Sequence, residues 1–280
     1  MKVWINGVLL DPEEALVSVY DHGLIVGDGV FETVKATYGR PFVLAPHLER
    51  LERSAKGLGL PAPDVDSIER GVMALLAEAS AWPVGWIRIT HTSGVGPLAS
   101  NRGDHGPTSV VAIAEGSPFP ATADVSVVPW PRCENGALTG LKTTSYGENV
   151  KALDYARQRG AGEAIFANLA GNLCEGTGSN IFVVTGGRLT TPPLSSGCLA
   201  GITRDLVLEW AGGEEVDLPI EQLQNCEEAF LTSTTRDVQP IRLVDGTSLP
   251  SSPGPVTRRV QEIFAERSAR LLDSPGNISS

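Results

Sequence analysis

The chain has 280 residues, 41% hydrophobic and 20% charged, with a formal net charge of −11. That balance is globular rather than disordered, and the chain is long enough for two modest cores. The acidic excess makes nucleic acid and anionic membrane surfaces poor partners, since both repel a negative protein. No apolar run has the length of a membrane span or the form of a secretory leader, so the cytoplasm is the expected compartment. Cys133, Cys174, Cys198 and Cys226 include no Cys-x-x-Cys pair and read as reduced thiols. His22, His47, His91 and His105 are scattered, so no metal site is expected.

Residues 2–9 read as a strand ended by Asp11-Pro12. The β-branched and aromatic run Val30–Thr37 is another strand, turned at 38–41 and returned by 42–44. Leu48, Leu51, Ala55 and Leu58 recur at helical spacing, and Gly59 closes that helix. A second helix starts near Val65. Strands at 85–90 and 109–113 flank a polar, glycine-rich loop. Residues 115–120 carry two prolines and a glycine and form the candidate linker. The expected division is therefore 1–114, a linker at 115–120, and 121–280. In the second part, strands are expected at 125–129, 164–167, 180–184, 188–191 and 229–233. Helices are expected at 148–159, from Gly201, and around Val256–Phe264. Residues 274–280 read as a frayed end. Strands and helices mix without βαβ alternation, so the class is α+β.

Candidate chemistry lies in the second part. Lysine is scarce, five residues against seventeen arginines, and Lys142 stands between apolar Leu141 and the hydroxyl-rich Thr143-Thr144-Ser145-Tyr146. A desolvated lysine can lose its proton and act as an imine-forming nucleophile; a surface lysine in a polar loop is the plainer alternative. Glu175, in Cys174-Glu175-Gly176-Thr177-Gly178, is a carboxylate among glycines that let the backbone approach a flat ligand. Such a carboxylate can keep a pyridinium nitrogen protonated; a solvated turn is again the alternative. The segment 191–204 opens into a helix at Gly201-Ile202-Thr203, whose free backbone N–H groups suit a phosphate. Thr232-Ser233-Thr234-Thr235 puts hydroxyls at a strand end.

Taken in order, Lys142, Glu175, Gly201-Ile202-Thr203 and Ser233-Thr234 resemble the class IV aminotransferase family, the fold-type IV pyridoxal-phosphate enzymes. Gly27-Asp28-Gly29-Val30-Phe31-Glu32 resembles the family's GDGxFE stretch. Pro46–Leu51 resembles its HxxRL segment, and Gly94-Val95-Gly96-Pro97-Leu98 its active-site loop. The resemblance covers nearly the whole chain. It implies a small α+β domain, a larger pseudo-barrel domain, pyridoxal 5′-phosphate between them, and a homodimer. It further implies that Lys142 forms the Schiff base and shuttles protons, and that Glu175 pairs with the ring nitrogen. Arg50, Ser233, Thr234 and the backbone of Ile202 and Thr203 would hold the phosphate. Tyr146 would reach the ring oxygen, although one residue fewer separates it from the lysine than in branched-chain aminotransferases. Phe31, Arg88, Arg102 and Arg236 are the candidate substrate-binding residues.

Within the family, Lys142-Thr143-Thr144-Ser145-Tyr146 and the loop at Gly94–Leu98 look most like bacterial 4-amino-4-deoxychorismate lyases, which eliminate pyruvate to leave 4-aminobenzoate in folate synthesis. The alternative is a transaminase that passes the amino group of D-amino acids, branched-chain L-amino acids or (R)-amines to 2-oxo acids. Arg88 matches the arginine of the branched-chain group's YIR strand. The D-amino-acid group's Arg-x-His pair is absent from the loop.

Overall fold

The computed structural model describes residues 1–273; the expected frayed end, 274–280, lies outside the described residues. The chain divides into two compact units. The first comprises Met1–Ser117, Leu141–Tyr146 and the chain from Arg270; the second comprises Pro118–Gly140 and Gly147–Ala269. The segment holding Lys142 thus belongs with the amino-terminal unit, not with the 121–280 stretch in which the sequence reading placed it.

The first unit is built on a six-stranded sheet. Its strands are β1 (Val3–Ile5), β2 (Val8–Leu10), β3 (Gly29–Thr37), β4 (Arg40–Pro41), β5 (Gly85–Thr92) and β6 (Thr108–Glu115), in the order β2-β1-β6-β5-β3-β4. The single strand expected over residues 2–9 is a hairpin, because Asn6 and Gly7 both adopt positive φ, the conformation of an Asn-Gly hairpin turn. The return expected at 42–44 is cut short after Pro41. Val43 takes the left-handed conformation and caps helix α1 (Leu44–Leu58). Gly59, with φ of 73°, ends that helix as its sequence suggests.

Side chains alternate along β3. Val30, Val34 and Ala36 enter the core with Ile87, Ile89 and Val111. Leu48, Leu51 and Ala55 of α1 meet Ile68, Val72 and Leu75 of helix α2 (Val65–Glu78) there. Each such leucine or isoleucine contributes about 1.5–3 kcal/mol relative to exposure. Gly71 lets α2 approach the sheet, since a Cβ there would lie 2.6 Å from the Trp4 ring. Phe31, Thr33 and Lys35 point to the other face of the sheet, where Lys142 lies over the Phe31 ring.

The second unit holds a nine-stranded sheet. In chain order the strands are β7 (Ala123–Val127), β8 (Glu163–Ala167), β9 (Leu173–Gly176), β10 (Asn180–Thr185), β11 (Arg188–Thr191), β12 (Glu214–Glu215), β13 (Glu228–Ser233), β14 (Asp237–Val244) and β15 (Thr247–Ser248). The sheet runs β12-β11-β10-β13-β14-β7-β8-β9, with β15 paired to β14. Parallel pairing joins β14 to β7 and β7 to β8, and the other long pairs are antiparallel. Ile165, Ile181, Val183, Leu231, Ile241 and Val244 form its main core. Helix α3 (Gly147–Arg157) packs small residues, Ala152 and Ala156, against Phe166 and Cys174. Helix α4 (Ile202–Ala211) follows Gly201, and α5 (Pro255–Asp273) is the last helix. No helix among the described residues is long and apolar enough to cross a membrane.

Candidate active site

The residues singled out from the sequence fall into two sets, one in each unit. In the first, the segment around Lys142 runs along the start of β3. Phe31 N–H donates to the Lys142 carbonyl at 2.9 Å, and Thr144 N–H to the Gly29 carbonyl at 2.8 Å. Gly27 receives this segment. Its carbonyl accepts the Thr144 hydroxyl at 2.9 Å and the Ser145 hydroxyl at 3.0 Å. Its φ of 71° needs glycine, and a Cβ would come within 2.6 Å of Ser145 Oγ. The Gly-Asp-Gly stretch and the Lys-Thr-Thr-Ser-Tyr stretch are therefore two halves of one local structure.

That arrangement places Lys142 Nζ 4.4 Å from the centre of the Phe31 ring. Tyr146 meets the same ring edge-on, with centroids 5.1 Å apart. The Arg88 guanidinium lies over Phe31 at 3.4 Å. Arg88 is exposed and makes no hydrogen bond or ion pair among the described residues. An arginine stacked on an aromatic face keeps its planar fork of donors available for a carboxylate.

Arg50 is on the helix-covered face. Its Nε and Nη2 each donate to the Glu32 carboxylate at 2.7 Å, and His47 Nδ1 lies 2.7 Å from Glu32 Oε2. Glu32 and His47 are fully buried. Burial pushes the Glu32 carboxyl up, but the hydrogen bonds and charge of Arg50, joined by His47, outweigh this and hold it at about 2. Arg102 is held by Asp28, at 2.6 and 2.7 Å, and by the carbonyls of Leu58 and Gly59.

In the second unit, Glu175 lies on β9. Its Oε2 accepts the Leu199 N–H at 2.9 Å, and its Oε1 is 3.4 Å from Arg132 Nε. Asn180 Nδ2 donates to the Leu199 carbonyl at 2.8 Å, and Asn180 pairs in register with Thr232. Glu175, the start of α4 and the strand end at Thr232–Thr234 are thereby brought together. Helix α4 begins at Gly201 with no side chain capping its first N–H groups, which leaves donors for an anion. The Thr234 hydroxyl has no partner among the described residues, whereas Ser233 Oγ accepts the Arg236 N–H at 3.2 Å. Arg236 itself is engaged. It donates to Gln239 and, at 3.1 Å, to buried Glu163, which also takes the hydroxyls of Thr177 and Ser179.

The sequence reading missed Glu163 and Arg132, isolated charges in apolar or irregular stretches with no spacing to mark them. Glu32 is visible in the sequence only as part of the Phe-Glu pair, with nothing to mark its role.

Comparison with known proteins identifies the family. The sequence profile of the amino-transferase class IV family matches residues 29–244. A Methanocaldococcus jannaschii protein provisionally named branched-chain-amino-acid aminotransferase is 33% identical over 95% of this chain and 96% of its own. D-alanine aminotransferase of Staphylococcus haemolyticus is 32% identical over 94% and 96%. Among solved structures, the branched-chain amino acid aminotransferase of Thermobaculum terrenum in its PLP-bound form superposes with a TM-score of 0.85 at 28% identity, covering 95% of this chain and 93% of that one. A Legionella pneumophila protein provisionally named 4-amino-4-deoxychorismate lyase superposes with a TM-score of 0.85 over 91% and 97%, but at 21% identity it shares the fold alone.

The chain belongs to the class IV aminotransferases and has their two-domain α+β fold. It is a pyridoxal-phosphate enzyme of the kind that family contains, transaminases and lyases. The residues present fit the cofactor: an amine on an aromatic face, a carboxylate held between an N–H and an arginine, and a helix that starts without a cap.

Proposed function

We propose that this enzyme is a transaminase of α-amino acids that uses a 2-oxo acid as amino acceptor. The observation that carries this reading is the exposed Arg88 guanidinium on Phe31, a ring it shares with Lys142. A carboxylate received by Arg88 would bring the adjoining Cα toward the lysine. Both relatives named above at more than 30% identity bear transaminase names, one of them provisional, which moves this reading ahead of the lyase.

In this reading Lys142 binds the cofactor covalently and its Nζ moves the substrate's Cα proton. The bound cofactor supplies the electron sink that stabilises the resulting carbanion. Glu175 holds a proton on the ring nitrogen. The first N–H groups of α4, at Ile202 and Thr203, would receive the phosphate together with the hydroxyls of Ser233 and Thr234 and with Arg50. Tyr146 is assigned to the ring oxygen. Arg88 orients the substrate carboxylate over Phe31, leaving Arg102 and Arg236 to their own acceptors. A homodimer is the expected assembly.

The second reading is aminodeoxychorismate lyase. It is favoured by Lys142-Thr143-Thr144-Ser145-Tyr146, whose Thr144 and Ser145 hydroxyls are both spent on the Gly27 carbonyl. One panel separates the two: D-alanine, L-leucine and (R)-1-phenylethylamine, each with 2-oxoglutarate, and aminodeoxychorismate alone. Glutamate formation with an amino acid supports the transaminase. Release of 4-aminobenzoate without an oxo acid, and no glutamate, would replace it with the lyase.

A further inference from the structure

The backbone at Arg132 is pinned along the end of β8, its N–H donating to the Ala167 carbonyl at 2.7 Å. Its guanidinium lies 4.0 Å from the centre of the fully buried Phe166 ring. Nη1 donates to Glu148 at 2.5 Å and to Asn149 Oδ1 at 3.1 Å, both on α3. Asn149 in turn donates to the Thr177 carbonyl at 2.5 Å, two residues beyond Glu175. Ring, helix and strand therefore fix the guanidinium from three sides, and its Nε edge is turned to Glu175 Oε1 at 3.4 Å. The other oxygen of that carboxylate takes the Leu199 N–H. One hydrogen bond, from Leu199, and one ion pair, with Arg132, thus meet the carboxylate at its two oxygens.

Charge points the same way. Glu148, Arg132 and Glu175 together carry one net negative charge, which a protonated ring nitrogen would cancel. The neighbouring thiols add nothing, because burial pushes Cys174 and Cys198 well above the usual thiol range. Without Arg132 the carboxylates would stand uncompensated, and a proton held with Glu175 would shift from the ring toward the carboxylate.

We infer that Arg132 is a positioning residue that keeps Glu175 ionised and in plane, and so fixes the proton on the cofactor's ring nitrogen. The inference rests on the assignment of Glu175 to that nitrogen. It is tested by binding rather than turnover. Apoenzyme is titrated with pyridoxal 5′-phosphate and with its 1-deaza analogue, in which carbon replaces the ring nitrogen, and the ratio of the two dissociation constants is the readout. The wild type should prefer the natural cofactor, and Glu175→Gln should abolish the preference. Arg132→Met, whose thioether can still lie on Phe166, should reduce the preference about tenfold, the size of a one-unit change in the carboxylate's pKa. Arg132→Gln should do the same, and Arg132→Lys, which keeps the charge, should recover most of it. Overall loss of folding would weaken both ligands alike and leave the ratio unchanged. A folded Arg132→Met or Arg132→Gln protein with the wild-type ratio, beside a Glu175→Gln protein that has lost it, overturns the role of Arg132. A Glu175→Gln protein with the wild-type ratio overturns the assignment of Glu175 instead.

Discussion

Arg88 and Lys142 share one aromatic ring: the guanidinium lies 3.4 Å and the amine 4.4 Å from the centre of Phe31. The attraction of a cation to such a ring is about 0.5–2 kcal/mol, so the ring seats the Arg88 guanidinium beside the Lys142 amine. If Arg88 receives the substrate carboxylate, Arg88→Ala should raise KM for the amino acid by about 10–100-fold, as expected for a lost charge-assisted hydrogen bond. The visible band of the bound cofactor should stay where it is. Steady-state kinetics beside an absorption spectrum check this, and an unchanged KM would remove Arg88 from the substrate site.

The buried Glu32–Arg50–His47 cluster predicts acid lability. Glu32 is held at about 2 against an ordinary 4.5. Burial pushes His47 down from 6.5, against the opposing pull of Glu32. Both folded-state values are depressed, so the unfolded chain binds more protons as the medium turns acid, and stability falls as the pH falls. Their contribution is complete above pH 6.5, starts to decline through His47, and declines again below 4.5. The Glu32 part amounts to about 3 kcal/mol. Urea unfolding across this range should show it. Glu32→Gln should cost about 3–5 kcal/mol at neutral pH and flatten the decline below pH 4.5. Parallel curves for the two proteins would show that Glu32 does not carry the effect.

Thiol reactivity should single out Cys133. It is exposed, while Cys174, Cys198 and Cys226 are buried. Burial raises Cys198 to about 11 and Cys226 to about 12, and Cys174 higher still. Thiolates are the reactive species, so iodoacetamide on the native protein at mildly alkaline pH should modify Cys133 alone. Peptide mass mapping reads the site, and early modification of Cys174 would contradict the packing described beside Glu175.

Gly201 should resist even alanine. Its φ of −80° is open to any residue, but a Cβ there would run into Asn180 Oδ1. Relieving that clash moves Asn180 off the Leu199 carbonyl and disturbs the start of α4. Gly201→Ala should therefore weaken cofactor affinity about fivefold or more, the scale of one buried hydrogen bond. Titration of the apoenzyme decides; wild-type affinity would show that the start of α4 does not bind the phosphate.

Periodic segments were legible in the sequence for simple reasons. Helix α1 repeats leucines every three to four residues and ends on a glycine, and β3 alternates faces over its whole length. Strand β14 was missed because Pro240 argues against a strand, yet it pairs with Phe230 inside the sheet. Order along the chain singled out Lys142, Glu175 and the glycine before α4 as candidates, because their spacing resembles a family's spacing. It did not reveal which arginines are committed. Arg102 and Arg236 read as candidate carboxylate receivers until Asp28 and Glu163 are seen beside them, 74 and 73 residues away in the chain. Such pairings depend on folding and leave no local pattern.

Lys142 is the residue proposed to hold the cofactor. The direct measurement is borohydride reduction of the purified holoenzyme followed by peptide mass mapping. A yellow protein that loses its visible band and carries the pyridoxyl group on Lys142 is the predicted result. A stable label on Lys35, Lys56 or Lys151, or a cofactor-bound protein in which Lys142→Ala keeps both the band and wild-type turnover, would contradict it.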